Sequence, residues 1–285
     1  MSPFFLHCIL RASAHPTLSM NLSFPLCSWQ YFFAILPSLA AVNARAQFTL
    51  TGTSYTQNFD ALTSAGTSTS TLDLGSTWYA GTGTGALTPA NNQIVVVGTS
   101  SLATGGNYNF GSTAAGERAL GSLASAGNQR DTEARFSNGL SLPIGSLTIS
   151  YTGEQWRNGG TTSVDNALVL QYSTNGSTWT NLGSAFDFHT PIDSGTAGAL
   201  DGNLAANRVT GIGGVYVPSS QIAPGSTFYL RWADADDASS DHGIAIDDFS
   251  LSMSLVPEPG TWIAGAFALT AIGFMCARRR ARVIS

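Results

Sequence analysis

Between residues 47 and 255 apolar and polar positions alternate in several segments with a period of two, and no stretch shows a sustained 3.6-residue apolar period. Leu147, Ile149 and Tyr151 fall on one side of an extended segment, with Thr148, Ser150 and Thr152 on the other. Phe228, Leu230 and Trp232 alternate in the same way with Tyr229, Arg231 and Ala233. Further strands are expected at 94–97, 119–123, 134–137 and 214–217. About ten strands and no helix predict an all-β domain, a two-sheet jelly-roll-like sandwich, with a closed barrel as the alternative. Residues 47–85, rich in Ser, Thr and Gly, predict an edge strand and long loops.

Two local patterns are sharper. Asn175-Gly176 between the runs 168–174 and 177–182 predicts a hairpin with a two-residue type I′ turn, which sets Tyr172 opposite Trp179. Near the C-terminal end, Ile244 and Ile246 share one phase whereas Phe249, Leu251 and Met253 continue in the other. One residue is therefore inserted near Asp247-Asp248, as in a β-bulge, which re-aims side chains.

The two ends differ from this domain. Residues 24–42 are mostly apolar, and Ala44-Arg45-Ala46 supplies small residues at the two positions read by a signal peptidase. Residues 1–46 are thus expected to be a secretion signal cleaved before Gln47, with Met20 as an alternative start. At the other end Pro257-Glu258-Pro259 precedes an apolar run at 262–277, followed by Arg278, Arg279, Arg280 and Arg282. The prolines stop a helix from extending backwards, and the run spans about 24 Å against a hydrocarbon core of about 30 Å. It predicts a single transmembrane helix with the basic cluster in the cytoplasm.

Pro-Glu-Pro, a short apolar helix and terminal arginines in that order resemble the PEP-CTERM sorting signal of Gram-negative bacteria. The resemblance covers residues 256–285. It implies recognition by a membrane-embedded exosortase after export, a place at the cell surface or in the extracellular matrix, and an association with exopolysaccharide and biofilm. Pro257, Glu258 and Pro259 are then sorting determinants.

Charge and composition narrow the chemistry. The domain at 47–255 holds six arginines against sixteen Asp and Glu, a balance of −10, which argues against nucleic acid as a ligand. The chain contains no lysine. Its cysteines, Cys8, Cys27 and Cys276, all lie in the terminal segments, so the domain has neither disulfides nor thiolate chemistry.

The densest acidic segment holds six carboxylates between Asp234 and Asp248: Asp234, Asp236, Asp237, Asp241, Asp247 and Asp248. No Lys or Arg interrupts them, and oxygen donors at this density predict a calcium site, although the EF-hand pattern is absent. The run Ile244-Ala245-Ile246-Asp247-Asp248-Phe249 also resembles the closing strand of MAM-like extracellular jelly rolls. That resemblance implies the fold and a calcium role for Asp247 and Asp248.

Trp156, Tyr172 and Trp179 are candidates for stacking on a sugar ring. No nucleophile elbow, zinc-protease motif or phosphate loop occurs. Glu133 with Glu154 is the candidate pair for a hydrolase, although both are expected to be surface charges at strand ends, and His242 beside Asp241 is expected to be structural or solvated. The expectation is a non-enzymatic exported surface protein, with a carbohydrate-binding module and a glycoside or ester hydrolase as alternatives.

Overall fold

The computed structural model describes residues 47–62, 64, 77–82, 94–98, 104–112, 116–125, 127–160, 165–237 and 240–257. Fifteen strands are formed: β1 (Phe48–Leu50), β2 (Ser54–Gln57), β3 (Trp78–Thr82), β4 (Ile94–Gly98), β5 (Gly106–Phe110), β6 (Ala119–Leu123), β7 (Arg130–Asn138), β8 (Ile144–Asn158), β9 (Ala167–Ser173), β10 (Thr180–Asn181), β11 (Phe188–His189), β12 (Gly198–Ala199), β13 (Arg208–Tyr216), β14 (Thr227–Asp234) and β15 (Gly243–Leu255). They make two sheets. The first runs β1-β7-β14-β9-β10, with β3 also on β7 and β11 also on β9. The second runs β12-β8-β15-β6-β5-β4, with β13 also on β8 and β2 also on β15. The fold is thus an all-β, two-sheet sandwich. The expected signal segment and the expected apolar run at 262–277 lie outside the described residues, among which no helix is long and apolar enough to cross a membrane.

The alternation seen in the sequence becomes the inner faces of the sandwich. Leu147, Ile149 and Tyr151 of β8 meet Phe228, Leu230 and Trp232 of β14 in one apolar cluster, joined by Phe136, Leu170 and Ile246. Trp78 stacks on Trp232 at 5.5 Å between ring centroids, and Phe249 meets both edge-on at 5.2 and 5.4 Å. Burying each large apolar side chain contributes about 1.5–3 kcal/mol, and this cluster draws its members from both sheets. A smaller cluster of Tyr108, Phe110, Ala119, Leu123, Trp156 and Ala245 covers part of the second sheet's outer face.

The expected bulge is present. Asp247 stands opposite Thr152 and Ser250 opposite Ser150, so Asp248 and Phe249 together face the single residue Tyr151. Asp248 takes a positive φ of 50°, an uncommon conformation for a residue with a side chain. The insertion returns Phe249, Leu251 and Met253 to the core that Ile244 and Ile246 already occupy.

The hairpin departs from expectation. Thr180, not Trp179, stands opposite Tyr172, and residues 174–179 form a loop between β9 and β10. Its conformation is set by side-chain caps: Asn175 Oδ1 accepts from the backbone N–H of Ser177 and Thr178, both at 2.8 Å. Ser173 Oγ likewise accepts from the N–H of Asn175 and Gly176. Gly176 alone of the dipeptide has positive φ, whereas a type I′ turn needs it at both residues.

Candidate functional site

The bulge brings together residues distant in sequence. Ala245 and Asp247 of β15 and Glu154 and Trp156 of β8 alternate away from the core and so occupy the second sheet's outer face. Glu117 arrives there just before β6 begins. One carboxylate oxygen from each of Glu117, Glu154 and Asp247 lies within 4.8 Å of the other two. Glu154 is fully buried, Asp247 is 6% exposed and Glu117 is half-buried.

The surroundings fix these groups without neutralising them. Trp156 Nε1 donates to Glu154 Oε2 at 2.9 Å, and Asn203 Nδ2 donates to Glu117 Oε2. Asn203 is held over the site by the 200–207 loop, tied to β8 by bonds from Leu200 N to Trp156 O and from Gln155 N to Asn207 O, both 2.8 Å. Gly202 is required in that loop, because a Cβ there would meet the Trp156 indole at 2.4 Å. Arg118, next to Glu117, spends its guanidinium on Asn109 and on the Ser112 carbonyl.

Two oxygens are left over. Among the described residues Glu154 Oε1 and Asp247 Oδ1 are buried without a hydrogen-bond partner. Burial pushes Glu154 up to about 8, against a lowering by the Trp156 bond and by Arg208 and a further rise from Glu117 and Asp248. Burial also raises Asp247 to about 8, with Asp248, Glu154 and Glu117 adding repulsion. Deprotonated together, these groups repel one another in a medium that screens poorly.

On the other side of the bulge Asp248 is exposed and lines an open cleft of about 410 Å³ with Thr56, Gln57, Asn58, Phe249 and Ser250. Carboxamides, hydroxyls and a carboxylate thus converge on space wide enough for a ligand.

The remaining predicted site residues have other settings. Asp234 is buried and accepts from Ser122 Oγ at 2.7 Å, Asp236 from Gly127 N at 2.8 Å, Asp237 from Asn166 Nδ2 at 2.5 Å and Asp241 from Asp237 N at 2.9 Å. Each thereby braces a separate piece of backbone or side chain, and among the described residues the acids that converge within 4.8 Å are Glu117, Glu154 and Asp247.

The stacking candidates are occupied too. Trp156 has no exposed surface and stacks on Phe110 at 5.8 Å, and the buried Tyr172 packs on Tyr216 and Phe228. Trp179 is half-buried beneath Arg231, at 4.0 Å from guanidinium carbon to ring centre. These rings were expected to offer a sugar platform; for Trp156 and Tyr172 burial corrects that.

Glu133 and Glu154 are not surface charges, since both are fully buried within strands. They alternate away from the core on opposite sheets, with the apolar cluster between them, so they cannot flank one glycosidic bond. His242 is buried as well. The backbone N–H of Gly159 donates to its Nδ1 at 3.2 Å, leaving the proton on Nε2, and burial lowers its pKa. The imidazole is thus enclosed, with Gln155 Nε2 also 2.8 Å from Nδ1.

Sequence reasoning missed Glu117 and the grouping of Glu154 with Asp247. The available signal was that Glu154 sits two residues before a tryptophan, on the strand facing the bulge.

No protein-family model matches the chain, and no curated protein matches it. Among solved structures it is similar to the CBM22-1 xylan-binding domain from Paenibacillus barcinonensis Xyn10C, at 12% identity and a TM-score of 0.34, over 71% of this chain and 95% of that one. It is also similar to TmCBM61, solved with β-1,4-galactotriose, at 12% identity and a TM-score of 0.26, over 50% of this chain and 74% of that one. The K3 cleaved adhesin domain of Lys-gingipain from Porphyromonas gingivalis gives 15% identity and a TM-score of 0.26, over 50% and 79% of the respective chains. At these scores any function must be argued from the chain's own residues.

Proposed function

We propose that the chain is an exported bacterial surface or matrix protein whose jelly-roll-like sandwich binds extracellular polysaccharide without turning it over. The observation that carries this is the open polar cleft at the bulge, where Thr56, Asp248 and Ser250, with Gln57 and Asn58 whose carboxamides also hold Phe59 and Asp60, offer donors and acceptors suited to sugar hydroxyls. The converging acids beside it favour binding over hydrolysis, because Glu154 has no surface for a substrate to reach. Export rests on the secretion signal and on the PEP-CTERM-like tail, which an exosortase would process at the membrane.

Affinity electrophoresis of the protein through gels cast with exopolysaccharides tests the binding. Retardation by at least one polysaccharide is expected, with its loss in Asn58→Ala and Asp248→Asn; unchanged mobility in every gel would sink the proposal. Release of reducing ends from the same polysaccharides would overturn its non-enzymatic part. For the sorting route, Glu258→Ala should leave the precursor in the membrane fraction, and normal delivery of that variant would remove the tail from the argument.

A further inference from the structure

We propose that Glu117, Glu154 and Asp247 form a divalent-cation site built for calcium. This set shares only Asp247 with the acidic run that the sequence marks, and the inference stands independently of polysaccharide binding. Three acids near one another are not by themselves a site. Here two of them are more than nine-tenths buried, and each presents an oxygen, Glu154 Oε1 and Asp247 Oδ1, that no donor meets. Buried carboxylate oxygens are nearly always satisfied, and a bound cation would satisfy both.

The donors identify the class of ion. All are carboxylate oxygens, with no imidazole or thiolate, which suits a hard cation and disfavours zinc or copper. Their oxygens lie within 4.8 Å of one another, which leaves room for a central ion at calcium–oxygen distances of about 2.3–2.6 Å, and calcium tolerates irregular sets of oxygen donors where magnesium demands a near-ideal octahedron. The supporting bonds orient the set. Trp156 and Asn203 each hold one oxygen of Glu154 and Glu117, and the unpartnered oxygen of Glu154 is left for the ion. Glu117, the half-buried member, marks the side from which an ion enters. Asp247 also belongs to the bulge, so an ion there would pin the segment that aims Asp248 into the cleft.

The test uses the full chain purified in detergent, with calcium as the probe. Thermal melts in chelator and in calcium should differ by about 5 °C or more at a hundredfold excess over Kd. That difference should shrink to nothing in Glu154→Gln and in the more exposed Glu117→Gln, which guards against a misfolded variant. Terbium luminescence excited through Trp156 should appear on ion binding and fall on competition by calcium. Coincident melts and no terbium signal would overturn the proposal. So would a calcium effect that survives Glu117→Gln and Glu154→Gln but vanishes in Asp236→Asn with Asp237→Asn. Magnesium matching calcium at equal concentration would overturn the assignment to calcium.

Discussion

The outer faces of the two sheets both carry buried acids, and they resolve the cost in opposite ways. On the first sheet Glu133 is paired with Arg135 at 2.5 Å, and Arg231 lies 3.4 Å from Asp131 while also bonding Gln171. Both arginines lie over aromatic rings, Arg135 on Tyr79 at 3.6 Å and Arg231 on Trp179 at 4.0 Å. On the second sheet Glu117, Glu154 and Asp247 gather with hydrogen bonds from Trp156 and Asn203 and, among the described residues, no ion pair, although Arg208 stands opposite Glu154 on β13. One face carries its countercharge in the chain, and the other is arranged to take it from outside. The fold accommodates both because each sheet's outer face is partly covered, which removes water and makes the missing or present cation matter.

The largest effect should come from breaking the internally paired face. Arg135→Met removes the cation that touches Glu133, with Arg231 still opposite on β14, and should cost about 3 kcal/mol in urea unfolding, with much of this recovered by adding Glu133→Gln. A small loss would mean that the face opens to water and that the two faces differ little.

Next comes pH. Glu154 and Asp247 are raised to about 8 in the folded protein, above the ordinary carboxylate range of the unfolded chain. The folded state then holds more protons between those values, so their contribution is full below about pH 4 and is lost as pH rises through about 8. In chelator the melting midpoint should fall between pH 5 and pH 9. Asp131, raised to about 7 by burial, adds to the fall on the other face. Calcium should remove only the share due to Glu154 and Asp247, whose charged surroundings are Glu117, Asp248 and Arg208. A calcium benefit that does not grow with pH would contradict competition between ion and proton.

Gly202→Ala should destabilise by about 1–3 kcal/mol, since its new methyl group must displace the loop or the indole. Weaker calcium binding should accompany it, because Asn203 moves with the loop. The smallest effect is the most discriminating. In chelator Glu154→Gln should raise stability by up to about 1 kcal/mol by relieving repulsion, whereas Glu133→Gln should lower it by weakening the ion pair with Arg135. Equal signs for the two would erase the distinction between the faces.

Much of this architecture was legible as period-two alternation. Residues 119–123 form β6, and the phase change after Ile246 marks the bulge in the sequence itself. The hairpin was misjudged because Asn-Gly favours a tight turn only while the local backbone decides. Here Asn175 caps two N–H groups with its side chain and lengthens the loop. The site was half legible. Asp247 could be aimed by counting phases, but Glu117 reaches it only because β15 lies between β8 and β6. Strand order is a property of the folded sheet and leaves no trace in local spacing. Burial was hidden for the same reason: Glu133 and Trp156 look like surface residues until their neighbouring segments are folded over them.

The place of β15 has a mechanical consequence. It is bonded along one edge to β8 and along the other to β6 and β2, and the described chain leaves it directly toward Pro257. A pull applied at that end runs along an interior strand, so the ladders on both edges share the load instead of opening one bond at a time. The bulge interrupts the ladder to β8 at Asp248 and falls between the β6 and β2 ladders on the other edge, so the load on β15 is divided between a C-terminal part and a part from Gly243 to Asp247.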